Sequence, residues 1–172
     1  MQLQDDDFTL FGLPQRFELE RSRLDERWRA LQSEVHPDRF AAHGPAAQRV
    51  AMQWAVRINE AYRRLKDPLE RAAYLCGLRG VDVQAGSNTS MPGAFLLQQM
   101  SWRESLEEAE TVASIQLLDQ EVEREQRHLL SDLQHTLDAA GQTEAAAAQV
   151  RALMFITRFR ADIDRRLEAL GV

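Results

Sequence analysis

At 172 residues the chain has room for one ordinary domain or two small ones, and its 44% hydrophobic content is enough for packed cores. A net charge of -6 and a pI near 5.3 exclude a general nucleic-acid binder and a polybasic membrane protein, which need a positive surface. Residues 1–80 hold 13 Arg and Lys against 12 Asp and Glu, whereas residues 81–172 hold 8 against 15, so the two halves are expected to meet different partners.

The start, "MQLQDDDFTLFG", is acidic and resembles neither a signal peptide nor a mitochondrial presequence, and no run of eighteen apolar residues follows. A soluble cytoplasmic protein without a membrane contact is the expectation. Leu24, Trp28, Leu31 and Val35 fall on one helical face and predict a first long helix from about Glu20 to Val35. Pro37 disfavours helix at His36, so His36, Pro37 and Asp38 are expected in a turn. Pro45 suits the first turn of the next helix, in which Ala51, Ala55, Ile58, Tyr62 and Leu65 keep the period to about Lys66. A helical hairpin results.

Asp67 and Pro68 open a short helix, "LERAAYLCGL", which Gly77 and Gly80 are expected to end. Cys76, the only cysteine, excludes an internal disulfide and cannot alone make a Cys-rich zinc or iron-sulfur centre. The stretch 81–93, "VDVQAGSNTSMPG", has the composition of a linker or ordered loop, which divides the chain into domains at 1–80 and 94–172. Three helices follow at about 94–111, 113–139 and 143–170, with Gly141 at the last turn. The fold class is therefore all-α, a helical hairpin with short flanking helices followed by a three-helix bundle.

Two polar residues beside a proline are ordinarily turn chemistry. As an enzyme site, His36 would act as a base oriented by Asp38, but no nucleophile, glycine-rich phosphate loop or second acid accompanies them. His43, His128 and His135 do not complete a metal-ligand set with His36, so neither metal nor cofactor is expected.

An amphipathic helix, His36-Pro37-Asp38, a loop and a second amphipathic helix within 80 residues resemble the J domain of DnaJ-type co-chaperones. The stretches "DFTLFGLP" at 7–14, "RWRALQSEVHPDRF" at 27–40, "INEAYRRLKDPLERAAYL" at 58–75 and "AFLLQQMSWRESLEEAE" at 94–110 narrow the resemblance to the HscB family, over essentially the whole chain. That resemblance implies a co-chaperone that stimulates the ATPase of an HscA-like DnaK-class chaperone and delivers an IscU-like iron-sulfur scaffold, carrying no cluster itself. The ATP site would belong to the chaperone. A monomer is expected.

His36, Pro37 and Asp38 are then the chaperone contact, with Arg27, Arg29 and Arg39 as candidates to extend it along a basic strip. Arg29 matches a basic position of that strip in J domains, while Asp25 and Ala30 stand where generalist J domains often carry basic residues.

The segment 94–110 has more apolar residues than one buried stripe needs. Phe95, Trp102, Leu106 and Ala109 share a core face; Leu96, Leu97 and Met100 cluster on roughly the opposite side, continued by Glu104, Glu107 and Glu108. On the last helix Val150, Leu153, Ile156, Ile163 and Leu167 form the core stripe, and Phe155, about a quarter turn away, is expected beside the exposed patch. The resemblance implies that Leu96, Leu97, Met100, Glu104 and Phe155 contact the client. Ser101 occupies a position where relatives can carry an acid. Two other readings predict different behaviour: a J protein with an unrelated client, which would not capture the scaffold, and an enzyme with intrinsic turnover.

Overall fold

The computed structural model describes residues 1–84 and 90–172. Seven α-helices occur among the described residues: α1 (Asp7–Phe11), α2 (Arg21–Val35), α3 (Pro45–Lys66), α4 (Pro68–Leu78), α5 (Gly93–Glu108), α6 (Val112–Gln134) and α7 (Thr143–Ala169). The chain divides into two compact units, Met1–Leu75 and Cys76–Val172. This division falls inside α4. Of the connecting stretch read at 81–93, residues 85–89 lie outside the described residues.

In the first unit α2 packs along α3, and Leu24, Leu31 and Val35 meet Ala51, Ile58, Ala61 and Leu65 in one buried layer. This is the hairpin the periodicity predicts. A polar seam locks its register: the Trp28 and Tyr62 rings stack at 4.6 Å, and the Trp28 indole N–H donates to Asn59 Oδ1 at 3.0 Å. The Gln32 amide donates to the same Asn59 oxygen.

Helix α1 closes one side of the hairpin with Phe8, Leu10 and Phe11, all buried. Asp6 caps it by accepting from the Thr9 N–H at 3.1 Å, and Gly12 ends it at φ 64. A side chain at that left-handed position would be strained, and its Cβ would lie 3.7 Å from the Arg27 guanidinium. Asp7 is fully buried, yet it faces two cations, Arg57 at 2.8 Å and Arg64 at 3.1 Å. Its N–H donates to the Tyr74 hydroxyl at 2.9 Å. A buried carboxylate is tolerable only when it is paired in this way.

The bounds of α2 and α3 and the start of α4 follow the sequence closely, α1 has no bounded counterpart in the sequence reading, and two further details differ. The chain between α2 and α3 is not an open loop: Pro37–His43 winds as a 3₁₀ segment. Gly77 lies within α4, and it is Gly80, at φ 87, that follows the helix end. Nothing at Gly77 requires a left-handed conformation, so the helix runs through it.

In the second unit α6 and α7 are the main packed pair, and α5 lies against α6. Ala146, Ala147 and Ala152 on α7 are fully buried, small side chains that let the helices approach closely. The stripe Ile115, Leu118, Val122, Leu129 and Leu133 of α6 is buried throughout. Arg160 on α7 holds Asp119 on α6 through two bonds of 2.9 and 3.1 Å and donates a third to Gln126 at 3.1 Å. Regular α6 ends at Gln134, and the chain runs on helically to Ala139, where the sequence predicts the end, as one wider π turn with the Ala140 N–H reaching the His135 carbonyl at 2.9 Å. The Thr136 hydroxyl donates back to the Asp132 carbonyl at 2.8 Å, a bond that competes with the regular ladder. Among the described residues no helix is long and apolar enough to cross a membrane.

Candidate functional site

The turn in the first unit is built by proline at both ends. Pro37 forces His36 to φ -57 and ψ 127, which stops α2 at Val35 and opens the 3₁₀ segment. The His36 side chain then caps that segment, its Nδ1 accepting from the Asp38 N–H at 3.3 Å. In a neutral ring this bond leaves the hydrogen on Nε2. Asp38 Oδ2 lies 3.6 Å from His36 Nδ1, and the two side chains are 56% and 93% exposed. An anionic carboxylate and an imidazole donor are thus presented together on a turn whose shape is limited by proline. The apolar cavity beside them is lined by Val35 and Phe40, not by His36 or Asp38.

The three flanking arginines have different tasks. Arg27 donates its Nε–H to the Phe11 carbonyl at 2.9 Å and so ties α2 to the end of α1. Arg39 donates to the Ser33 carbonyl at 2.9 Å, capping the last turn of α2 where a cation is favoured by the helix dipole. Arg29 is exposed, and its charge acts on Asp25. The Tyr62 hydroxyl donates to Asp25 Oδ1 at 2.7 Å and Arg21 donates at 2.9 Å. The Tyr62 bond, then the Arg21 bond, hold the Asp25 carboxyl below the ordinary carboxylate range. Asp25 therefore belongs to the hairpin seam, which gives a structural reason for an acid at that point of the strip.

In the second unit, helix α5 presents the apolar cluster outward. Leu96, Leu97 and Met100 are 48%, 73% and 68% exposed, and Glu104, Glu107 and Glu108 are exposed beside them. Its opposite face carries the buried Phe95 and Trp102, with Leu106 half-buried. The Trp102 indole N–H donates to Glu121 Oε1 at 3.2 Å, which fixes α5 on α6. Three large apolar side chains side by side in water, rimmed by carboxylates, have the character of a contact surface.

Phe155 does not join that exposed cluster. It is only 5% exposed, its ring meeting Phe95 edge-on at 5.8 Å and stacking with Phe159 at 5.7 Å. Phe95 and Trp102 widen the aromatic core beyond the aliphatic stripe of α7, and this draws Phe155 inward. Arg103 of α5 lies over the Phe155 ring at 5.2 Å, so Phe155 supports the α5 surface from the side.

Two buried arginines escaped the sequence reading. Arg71 donates to the Phe17 carbonyl at 2.8 Å and the Leu65 carbonyl at 2.6 Å. Arg151 donates to the Val83 carbonyl at 2.9 Å and the Ser90 carbonyl at 3.0 Å. Both fasten irregular chain to a helix. Neither has a sequence signal, because nothing local distinguishes a buried arginine from a solvated one. Among the described residues no group of three or more His, Cys, Asp or Glu is placed to hold a metal ion.

Comparison with known proteins places these features in a wider set. Residues 91–164 match the family model described as the HSCB C-terminal oligomerisation domain. The chain is 51% identical over 171 residues to the "Co-chaperone protein HscB homolog" of Burkholderia multivorans, covering 98% of this chain and 97% of that protein. Chaperone HscB from Vibrio cholerae is 40% identical, with a TM-score of 0.80 over 96% of this chain and 99% of its own. The human co-chaperone protein HscB, at 23% identity, shares the fold with a TM-score of 0.88 over 100% of this chain and 86% of its own.

Proposed function

The chain belongs to the HscB co-chaperone family, and from that premise we propose that it couples an HscA-like DnaK-class ATPase to an IscU-like iron-sulfur scaffold. Residues 1–80 would act as the chaperone-facing domain and residues 94–172 as the client-facing domain, with 81–93 joining them. His36, Pro37 and Asp38 form the activating contact, Asp38 pairing with a basic group of the chaperone and the His36 Nε2 donor fixing the approach. Arg29 extends the contact over α2. Arg27 and Arg39 contribute through their structural bonds, which hold the turn and its helix in place. Nucleotide chemistry remains wholly with the partner, and this chain biases that partner toward its hydrolysing state by binding it better.

Leu96, Leu97 and Met100 form the client surface, Glu104 its polar edge, and Phe155 the support behind it. The observation that carries this reading is the exposed apolar cluster of α5, opposite a face already filled by Phe95 and Trp102. A patch of this mixed kind gives modest affinity, suited to delivering a client and letting it go. A client that touches both proteins raises the local concentration of the J domain at the chaperone, so client and co-chaperone act synergistically.

Titration calorimetry of the full-length chain with a purified IscU-like scaffold tests the client half. Leu97→Ala and Met100→Ala should each weaken binding about tenfold, or about 1.4 kcal/mol. Unchanged affinity in both would remove the patch from the account.

A further inference from the structure

Between α5 and α7 of the second unit runs an open groove of about 670 Å³. Its floor is apolar, formed by Leu106, Phe155 and Phe159, and its walls carry Arg103, Arg158 and Arg165 together with Glu107 and Asp162. Arg165 pairs with Asp162, and Arg103 leans over the Phe155 ring. Arg158 is exposed and in no ion pair among the described residues. The grouping runs against the local charge. Residues 81–172 hold 8 Arg and Lys against 15 Asp and Glu, yet three of those cations and only two of the acids line this groove.

The groove is also continuous with the client patch. Arg103 stands three residues after Met100 and seven after Leu96, positions that neighbour one another on a helix surface. The groove beside α5 therefore carries three arginines, one from α5 and two from α7, against two acids over an aromatic floor, and the apolar cluster next to it has an acidic border. Guanidinium groups recognise carboxylates through paired, directional bonds, and opposed charges at the edge of an apolar contact set orientation and register.

We propose that the α5–α7 groove receives an acidic segment of the client protein, its carboxylates meeting Arg158, Arg165 and Arg103 while an adjoining apolar side chain rests on Phe155 and Phe159. The inference rests on the client reading above and adds to it a second, electrostatic subsite that fixes how the client lies on α5. Arg158 is its principal contact, since its charge is otherwise unengaged.

The test titrates the purified IscU-like scaffold into the full-length chain at about 50 and about 300 mM salt, a range over which exposed charge contacts are progressively screened. Arg158→Gln/Arg165→Gln is compared with wild type and with Leu97→Ala, after melting curves show each variant folded. Both arginines are exposed, so neutralising them should barely change stability. At low salt the double variant should bind about five- to tenfold more weakly, and the salt dependence of binding should flatten. Leu97→Ala should lose affinity equally at both salts. If the double variant binds as wild type with the same salt response, while Leu97→Ala loses affinity, the groove proposal is overturned and the client reading stands. If the wild-type chain does not bind the scaffold, both are overturned.

Discussion

Asp7→Asn isolates the buried charge cluster that fastens α1 to the hairpin. The carboxylate is fully buried between Arg57 at 2.8 Å and Arg64 at 3.1 Å, so neutralising it leaves two guanidinium groups facing an amide. Removing one partner from a buried ion pair costs about 3–5 kcal/mol, because the remaining charge is desolvated without compensation. Here the lower end applies. Arg57 keeps its bonds to the Leu3 and Asp5 carbonyls, and Arg64 stays over the Tyr74 ring at 4.6 Å.

We therefore expect a loss of about 3 kcal/mol confined to the first unit. For a unit the size of Met1–Leu75, each kcal/mol moves the melting midpoint by about 4–8 °C, so a drop of about 12–24 °C is predicted. Because a chain of two units need not melt in one step, the assay is residue-resolved hydrogen exchange. Amides of 1–75 should lose protection in proportion, and those of α6 and α7 should keep theirs. A loss below about 1 kcal/mol would refute the reasoning, since it would make Asp7 no more important than an exposed ion pair.

Three further outcomes follow from the same structure. Trp102→Ala should destabilise the second unit by about 3–5 kcal/mol, since the ring is buried against Phe95 and Phe159; differential scanning calorimetry reads the shift. Tyr62→Phe removes the bond that most lowers the Asp25 carboxyl, so the Asp25 midpoint, followed by NMR, should rise toward the ordinary value of 3.8. A depressed folded value means that this contribution to stability is in place above the ordinary carboxylate value and is lost as pH falls through the lowered one, so the variant should lose acid resistance at the low end. Burial pushes the Cys76 thiol up, so maleimide labelling near neutral pH should be slow in the native protein and should speed up only under conditions that open the helix ends around it.

The long helices of this protein were legible because their signals are local, whereas the five-residue α1 is too short to show a period. Pro45 and Asp67-Pro68 mark starts, Pro37 marks a stop, and the stripes of α2, α3 and α6 repeat at helical spacing, so these boundaries can be read from a few residues each. Helix α7 shows where that reading runs out. Its stripe predicts the burial of Val150, Leu153, Ile156 and Ile163, which are buried, and of Leu167, which is only half-buried, but not that of Phe155, whose large ring reaches the aromatic core from the edge of the stripe. Long-range polar contacts are similarly invisible. Asp7 and Arg57 are fifty residues apart, and "DDDF" looks like a solvated acidic start until the fold brings two arginines to it. The α5 patch was legible for the opposite reason: Leu96, Leu97 and Met100 lie where the period allows no core, so their angular position alone marks them as exposed. On the turn, the residues were legible and their division of labour was not. Only the structure separates Arg29, exposed on α2, from Arg27 and Arg39, which are bonded to backbone carbonyls.

The central claim is that the His36-Pro37-Asp38 turn activates a partner ATPase while α5 holds the client. It is tested most directly by the single-turnover ATPase rate of an HscA-like chaperone with an IscU-like client, measured with the wild-type chain, with His36→Gln, and with neither. The account predicts that the wild-type chain accelerates hydrolysis, and that His36→Gln loses the acceleration while binding the client with unchanged affinity. Equal rates with wild type and with no co-chaperone, from a folded protein that still binds the client, would contradict it.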